Sequence, residues 1–369
     1  MSLGSIQIQN RLISWFMRKT APSGARRVVA LSAAVATEIG SVRDENQDRV
    51  SIVRGQDFAG RSFTLIALSD GIGGMKYGAE CAATTLGSFF GSFFDEVQTD
   101  CEPEKWLSRA AFKSNSVVNA KFAGAGGATL VAALISSGGR VHWLSIGDSR
   151  VHHSQGTRLT QISVDDTIAG QLGKQVDVGL GQSNLLQFVG MGNQLEPHVS
   201  CLEAGLEGSV LLTSDGVHYI NQDWLGQIIG NSPDSGVCVR RLAELAKWCG
   251  GPDNASVAIL SLESSVDLPS AESLYEIWDP FGEMQIIVAS GLAMASGAPL
   301  SSPKLHNPQV DLVGYSEVQV TEKQRKAKRS QGPRKTKVAA QKRKALAEED
   351  RGSEAEVPQL RMKFPNKAS

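Results

Sequence analysis

Five aspartates stand where an apolar core would not place them. Asp48 closes the run Arg43-Asp44-Glu45-Asn46-Gln47-Asp48, and Asp70 opens Asp70-Gly71-Ile72-Gly73-Gly74. Asp148 lies in Gly147-Asp148-Ser149-Arg150, Asp215 in Thr213-Ser214-Asp215-Gly216, and Asp253 in Pro252-Asp253-Asn254-Ala255-Ser256. Asp70, Asp148 and Asp215 each follow an apolar run, at 65–68, 141–146 and 210–212. A strand that ends in Asp-Gly delivers a carboxylate to a sheet edge, and the glycine lets the backbone turn or admits a ligand closely. Any one such pair is an ordinary turn signal; the weight lies in the set. Several carboxylates brought to one end of two sheets repel one another unless a cation sits between them. Oxygen donors and water suit Mg2+ or Mn2+, and the sequence has no His/Cys cluster to argue for zinc. Two such ions make a phosphoryl-transfer device, in which one acidifies a water and both clamp phosphate oxygens.

The elements that must position these groups are legible from periodicity. Short runs rich in Val, Ile and Leu predict strands at 33–37, 50–54, 63–69, 129–135, 140–146, 150–154, 209–214 and 256–262. Two long helical patterns lie between them. Residues 76–94 bring Ala79, Ala82, Ala83, Leu86, Phe89, Phe90 and Phe93 to helical spacing. Residues 103–121 start with Pro103 in the first turn and align Trp106, Leu107, Ala110, Val117 and Val118. Later helices are expected at 222–230 and 235–249. Two consecutive helices between blocks of strands argue against βαβ repetition and for an α+β layered sandwich. Residues 163–207 are glycine-rich with little periodicity, and read as a mobile excursion beside whatever the body binds.

Composition and charge bound the rest. The chain has 369 residues, 41% of them hydrophobic, enough for a sizeable core. No run of eighteen apolar residues predicts a membrane span. Five cysteines, an odd number without a CxxC spacing, read as free thiols in a reducing compartment. The net charge of −1 hides an asymmetry: residues 322–369 carry a balance of +9, the remainder −10. Residues 1–30 read as a basic leader outside the main fold, with Leu12, Ile13, Trp15 and Phe16 on a short amphipathic segment that packs on the body or on a membrane surface. Residues 274–295 hold one further apolar stretch. Pro299, Pro303 and Pro308 mark a linker, and the polar, charged stretch beyond 319 is expected to be disordered.

In their order, these motifs resemble those of the metal-dependent Ser/Thr protein phosphatases, the PPM or type 2C family, in its bacterial form. Arg43-x-x-Asn46-Gln47-Asp48 is similar to the family's first motif, Asp70-Gly71-Ile72-Gly73-Gly74 to DGxGG, and Gly127-Ala128-Thr129 to GxT. Gly147-Asp148-Ser149-Arg150 is similar to GDSR, Leu159-Thr160 with Val164-Asp165-Asp166-Thr167 to the LT…DHS segment, and Ser214-Asp215-Gly216 and Asp253-Asn254 to the last two metal motifs. The resemblance implies a four-layer α-β-β-α sandwich of two mainly antiparallel sheets flanked by helices. It also implies this organisation: a leader at 1–30, a phosphatase domain at 31–265 with a flap at about 163–207, a C-terminal extension and linker at 266–315, and a basic tail at 316–369.

The resemblance implies roles residue by residue. Asp48, Asp70, Asp215 and Asp253, with the Gly71 carbonyl, would hold two Mn2+ or Mg2+ ions. Asp148, with Asp215, would line a third position. Arg43 would bind the substrate phosphate, so Arg43, Asp48 and Asp70 form the expected catalytic set, and Asn254 would support it. Three positions depart from the pattern: Gln47 where many members have Glu, Ile72 where animal members have His, and Asp166 where His is usual. No catalytic role is assigned to Asp166, and His152, His153 and His218 read as surface or packing residues. The implied activity is hydrolysis of phosphoserine and phosphothreonine in proteins, targets of a Ser/Thr kinase, by a metal-activated water, in the cytoplasm and by a monomer. Two other readings stand beside it. One is a phosphoprotein-binding pseudo-phosphatase. The other is a nucleic-acid-associated regulator acting through the basic tail, which would equally suit an acidic partner or a membrane surface.

Overall fold

The computed structural model describes residues 3–136, 139–172, 185–262 and 274–287. In chain order the elements are α1 (Leu3–Phe16), β1 (Ser23–Val28), β2 (Ala33–Glu38), β3 (Asp48–Gln56), β4 (Ser62–Asp70), α2 (Gly78–Glu96), α3 (Pro103–Phe122), β5 (Leu130–Ser136), β6 (Val141–Ile146) and β7 (Arg150–Gln155). There follow β8 (Arg158–Gln161), α4 (Ile168–Leu172), β9 (His198–Leu202), β10 (Ser209–Thr213), α5 (Asp215–His218), α6 (Gln222–Gly230), α7 (Ser235–Trp248), β11 (Ala255–Ser261), β12 (Leu274–Trp278) and β13 (Glu283–Ile287). One sheet has the order β1-β2-β11-β10-β7-β8 and the other β13-β12-β3-β4-β5-β6-β9. Their strand pairs are antiparallel.

Side-chain alternation explains the four layers. In β4, Phe63, Leu65 and Ala67 face α2 and α3, while Ile66 and Leu68 meet the other sheet across Val35, Val210 and Leu212. Both faces are covered, so β4 reads as a continuous apolar run. On the far side, Leu211, Val257 and Ile259 pack against Val239, Leu242 and Ala246 of α7 and Leu225 of α6. All eight strands expected from the sequence form, with ends shifted by at most two residues, as do the four helices.

Two expectations about the ends of the chain are corrected. From Leu3 onward the segment expected to be a leader is part of the fold, and of the two placements expected for its amphipathic stretch it takes the one on the body. α1 lies on α2, with Leu12 fully buried and Phe16 beside Phe90 at 5.9 Å between ring centroids. The approach is close because α2 offers no side chains there: a Cβ on Gly87 would lie 2.6 Å from the Ile13 backbone nitrogen, and one on Gly91 2.9 Å from the Gln9 Cβ. α2 is therefore covered on every side, which is why its pattern is apolar all round. Behind α1, β1 pairs with β2 from Ser23↔Glu38 to Val28↔Ala33.

The boundary expected at 265 also moves. β12 pairs with β3, and the β12–β13 hairpin extends the seven-stranded sheet, so the fold reaches at least Ile287. Tyr275 stacks on Phe94 at 4.1 Å between ring centroids. The two ends of the fold meet where Arg18 pairs with Asp279 at 2.6 Å while lying over the Trp15 ring. The rest of the 266–315 extension and the basic tail at 316–369 lie outside the described residues. No described helix is long and apolar enough to cross a membrane.

The excursion at 163–207 is anchored where it is described. β9 is the edge strand beside β6. Val189 exchanges backbone hydrogen bonds with Ala128 at 2.8 and 3.1 Å. Asn115 and Asn119 of α3 hold the backbone at Gly190 and Gly192.

Candidate active site

Strand register gathers the aspartates. Asp48 at the start of β3 is the cross-strand partner of Asp70 at the end of β4. Asp215 follows β10 and Asp253 precedes its antiparallel neighbour β11, so both fall at one end of the other sheet. Asp148 sits in the turn by which β6 of one sheet passes to β7 of the other. The result is an open cleft of about 390 Å³ lined by Arg43, Asp70, Gly71, Asp148, Asp215 and Asp253, with Leu185 of the excursion on its wall. Backbones approach closely here: a Cβ on Gly216 would collide with the Asn254 carbonyl, which ties the Ser-Asp-Gly turn to the Asp-Asn turn.

Asp48 is brought to the cluster but not to the cleft wall. It is 3% exposed, behind the lining residues. Its Oδ2 accepts a hydrogen bond from Ser214 Oγ at 2.8 Å, whereas its Oδ1, like Asp215 Oδ1, is buried without a hydrogen-bond partner among the described residues.

The carboxylates shape one another's acidity. Burial, followed by the charges of Asp48, Asp215, Asp148 and Asp253, holds Asp70 well above the ordinary carboxylate range. Burial pushes Asp48 up to about 6, with Asp215 adding to it and the Ser214 hydrogen bond opposing it. Asp215 rises to about 6 through burial, then Asp253 and Asp148. Asp148 rises to about 6 through burial, with Asp165 adding to it. These groups cannot all be ionised at neutral pH without compensating positive charge. Part of it comes from Arg43, whose Nη2 lies 2.6 Å from Asp253 Oδ2. That hydrogen bond raises the guanidinium pKa further.

Asn254 fixes the loop that carries Arg43. Its Oδ1 accepts the Gln47 N–H at 2.8 Å, and its amide donates to the carbonyls of Ile39 and Glu45 at 2.9 and 3.0 Å. The Gln47 carbonyl in turn accepts the Gly71 N–H at 3.2 Å.

No family model matches the chain. Among curated proteins it is 29% identical over 247 residues to the serine/threonine protein phosphatase PstP of Mycobacterium tuberculosis, a match covering 64% of this chain and 46% of the relative. The chain thus spans about half the length of the curated relatives it matches. Among solved structures it resembles the PPM Ser-Thr phosphatase MsPP of Mycobacterium smegmatis in complex with cacodylate. The identity is 27% and the TM-score 0.53, over 63% of this chain and 99% of that one. It also resembles the catalytic domain of PstP in complex with two manganese ions, at 27% identity and TM-score 0.52, over 65% and 98%. In sequence and in fold the chain is similar to PPM Ser/Thr phosphatases.

Several residues that shape the site were quoted within motifs of the sequence but given no role of their own. Thr129 Oγ1 accepts the Asp70 N–H at 3.0 Å and shares a hydrogen bond with Ser149 Oγ at 2.7 Å. Asp166, at the position where the family has His, is buried and structural. It accepts from the Gly147 N–H at 2.9 Å and from Gln187 Nε2 at 2.8 Å, and lies 2.8 Å from His198 Nε2. It thereby ties the Asp148 turn to the described end of the excursion. His152 and His218 are packing residues as expected: each lies against Thr213 Oγ1, and burial lowers the pKa of both, that of His152 to about 3. The signal for Thr129 and Ser149 was their place in the motifs Gly127-Ala128-Thr129 and Gly147-Asp148-Ser149-Arg150, which says nothing of the hydrogen bonds they make.

Proposed function

We propose that this chain is a metal-dependent phosphoprotein phosphatase that hydrolyses phosphoserine and phosphothreonine esters. One observation carries the reading: Asp70, Asp215 and Asp253, from three separate segments, line a single cleft with Arg43, and Asp48 lies behind them. The donor set fits hard divalent cations. Every candidate ligand is an oxygen, and the orphaned Oδ1 atoms of Asp48 and Asp215 are buried acceptors that await a positive partner. Asp48, Asp70, Asp215, Asp253 and the Gly71 carbonyl would hold two such ions, and Asp148 with Asp215 a third. Mn2+ is the ion carried by the PstP catalytic domain, and Mg2+ suits the same oxygens. When bound, the ions supply Lewis-acid polarisation of the phosphoryl oxygens and lower the pKa of water.

The chain's own residues bind and orient. The planar Arg43 fork matches two phosphoryl oxygens and can exchange Asp253 for them once Asp253 has another cation to face. Asn254 holds the Arg43 loop in place. Asp166 holds the Gly147 backbone beside Asp148, and Thr129 holds the Asp70 backbone. The open, charge-lined cleft suits a phosphorylated side chain presented by a protein, the product of a Ser/Thr kinase reaction, and such a substrate would give the chain a role in signalling by protein phosphorylation. The five cysteines are all free thiols, which fits a reducing cytoplasmic setting. A monomer is sufficient, because the cleft is lined by one chain. The basic tail is read as a separate surface for an acidic or phosphate-bearing partner.

The test is hydrolysis of a phosphothreonine peptide by the purified chain. Turnover with Mn2+ and its loss in EDTA are expected. Turnover that persists undiminished in EDTA would overturn the reading.

A further inference from the structure

A second group of metal-binding side chains lies at the other end of the seven-stranded sheet. Glu104 in the first turn of α3, His142 on β6 and Cys201 on β9 place a carboxylate oxygen, an imidazole nitrogen and a thiol sulfur all within 4.8 Å of one another. His142 and Cys201 are direct cross-strand partners, so their side chains share a face. That face is the one toward the helices, because Leu144 and Ile146, two and four residues on, belong to the core under α2 and α3. His142 is the polar exception in this row and is 5% exposed. Its Nδ1 points into the cluster, 2.9 Å from Glu104 Oε1, and makes no aligned hydrogen bond among the described residues. Cys201 is exposed and free.

We propose that Glu104, His142 and Cys201 form a transition-metal site, suited to Zn2+, that is separate from the carboxylate cleft. The donors decide the metal. Thiolate and imidazole favour Zn2+, whereas the all-oxygen cleft favours Mn2+ or Mg2+. Three protein ligands with one side open to solvent leave a fourth position for water. Zinc–ligand bonds of about 2.0–2.3 Å in a tetrahedron put ligand atoms roughly 3.3–3.7 Å apart. The observed spread closes to that by rotating the exposed Cys201 side chain and easing Glu104 back from His142. The site is distinct from the cleft because His142 lies five residues before Gly147 on an extended strand, roughly 16 Å away. Its structural effect would be to pin the edge strand β9 to α3. β9 lies near the end of the excursion whose described part reaches the cleft at Leu185, so an ion here would fix the base of that segment. Ligands at positions 104, 142 and 201 form no sequence motif, which is why spacing alone argued against zinc.

Cobalt(II) tests this in the full chain, kept reduced and with Mn2+ in excess to fill the cleft. The wild type is expected to bind one Co2+ with a thiolate-to-cobalt charge-transfer band, and to release it to one equivalent of Zn2+. Oxygen ligands of the cleft cannot give that band. Cys201→Ser, at an exposed position, is expected to abolish it, and Cys249→Ser to leave it unchanged. Glu104→Gln, on the helix surface, should weaken Co2+ binding roughly tenfold or more while the band remains, since it removes one charged ligand. Absence of the band in the wild type, or its survival in Cys201→Ser, would overturn the proposal. Unchanged affinity in Glu104→Gln would equally overturn the three-residue site by showing a bare surface thiol.

Discussion

The cleft end of the sandwich and the flank built by α1 and the β12–β13 hairpin are both assembled from distant parts of the chain, yet they have opposite physics. At the cleft, burial and then mutual repulsion raise the pKa values of the aspartates, and two of their oxygens have no hydrogen-bond partner among the described residues. At the flank, Leu12 and Phe16 are buried against α2, Tyr275 stacks on Phe94, and Arg18 is paired with Asp279. One region spends stability to hold charge together, and the other supplies it. The difference teaches where each kind of substitution should act: cleft variants on turnover, flank variants on folding.

The largest separation is expected from Asp70→Asn. It keeps the shape and removes a charge, so turnover should fall by about 10³-fold, or ~4 kcal/mol. Thermal stability of the metal-free chain should hold or rise as repulsion is relieved. A lower melting temperature with partial activity would break the contrast. Leu12→Ala should do the reverse, costing about 2–5 kcal/mol in urea unfolding through the cavity it leaves. Its turnover per folded molecule should stay at the wild-type value.

pH gives the next contrast. Asp48, Asp148 and Asp215 have folded pKa values pushed up to about 6, above their value in the unfolded chain. The folded state therefore holds protons there that the unfolded state has lost. The associated stability is fully present below the unfolded pKa and is lost as pH rises through about 6. The metal-free chain should be more stable at pH 5 than at pH 7.5, by on the order of 2 kcal/mol. Mn2+ should raise the melting temperature more at pH 7.5 than at pH 5. A flat pH profile without metal would show that the carboxylates do not press on one another.

The smallest effect is expected from Arg43→Ala, which removes a phosphate contact and not a ligand. KM should rise about tenfold, or ~1.4 kcal/mol, with Mn2+ binding nearly intact. Loss of Mn2+ binding would assign Arg43 to the metal centre instead.

Legibility in the sequence followed the same divide. Asp70, Asp148 and Asp215 stood out because a carboxylate directly after an apolar run has no packing reason to be there, and strand register then brought them together. β4 and α2 were readable because burial on all sides leaves an unbroken apolar pattern. Packing of α1 on the body was one of the two placements its sequence offered, but the docking position was not readable: Gly87 and Gly91, which admit it, look like poor helix residues until the partner is seen. β9 and the β12–β13 hairpin were missed for a related reason. Edge strands alternate weakly, and His198-Val199-Ser200-Cys201-Leu202 has too little apolar character to announce a strand. Asp166 was visible as a departure, but its bonds to Gly147 and its contact with His198 depend on how the excursion folds back.

The central claim, that the converging aspartates hold divalent cations for phosphoester hydrolysis, is tested most directly by one titration. Mn2+ is added to the metal-stripped chain at pH 7.5 while bound metal and p-nitrophenyl phosphate turnover are followed in the same sample. The expected result is no turnover at zero metal, then activity that rises as at least two Mn2+ bind per chain, with neither binding nor turnover in Asp70→Asn. Turnover by the stripped chain, or full Mn2+ binding in Asp70→Asn, would contradict it.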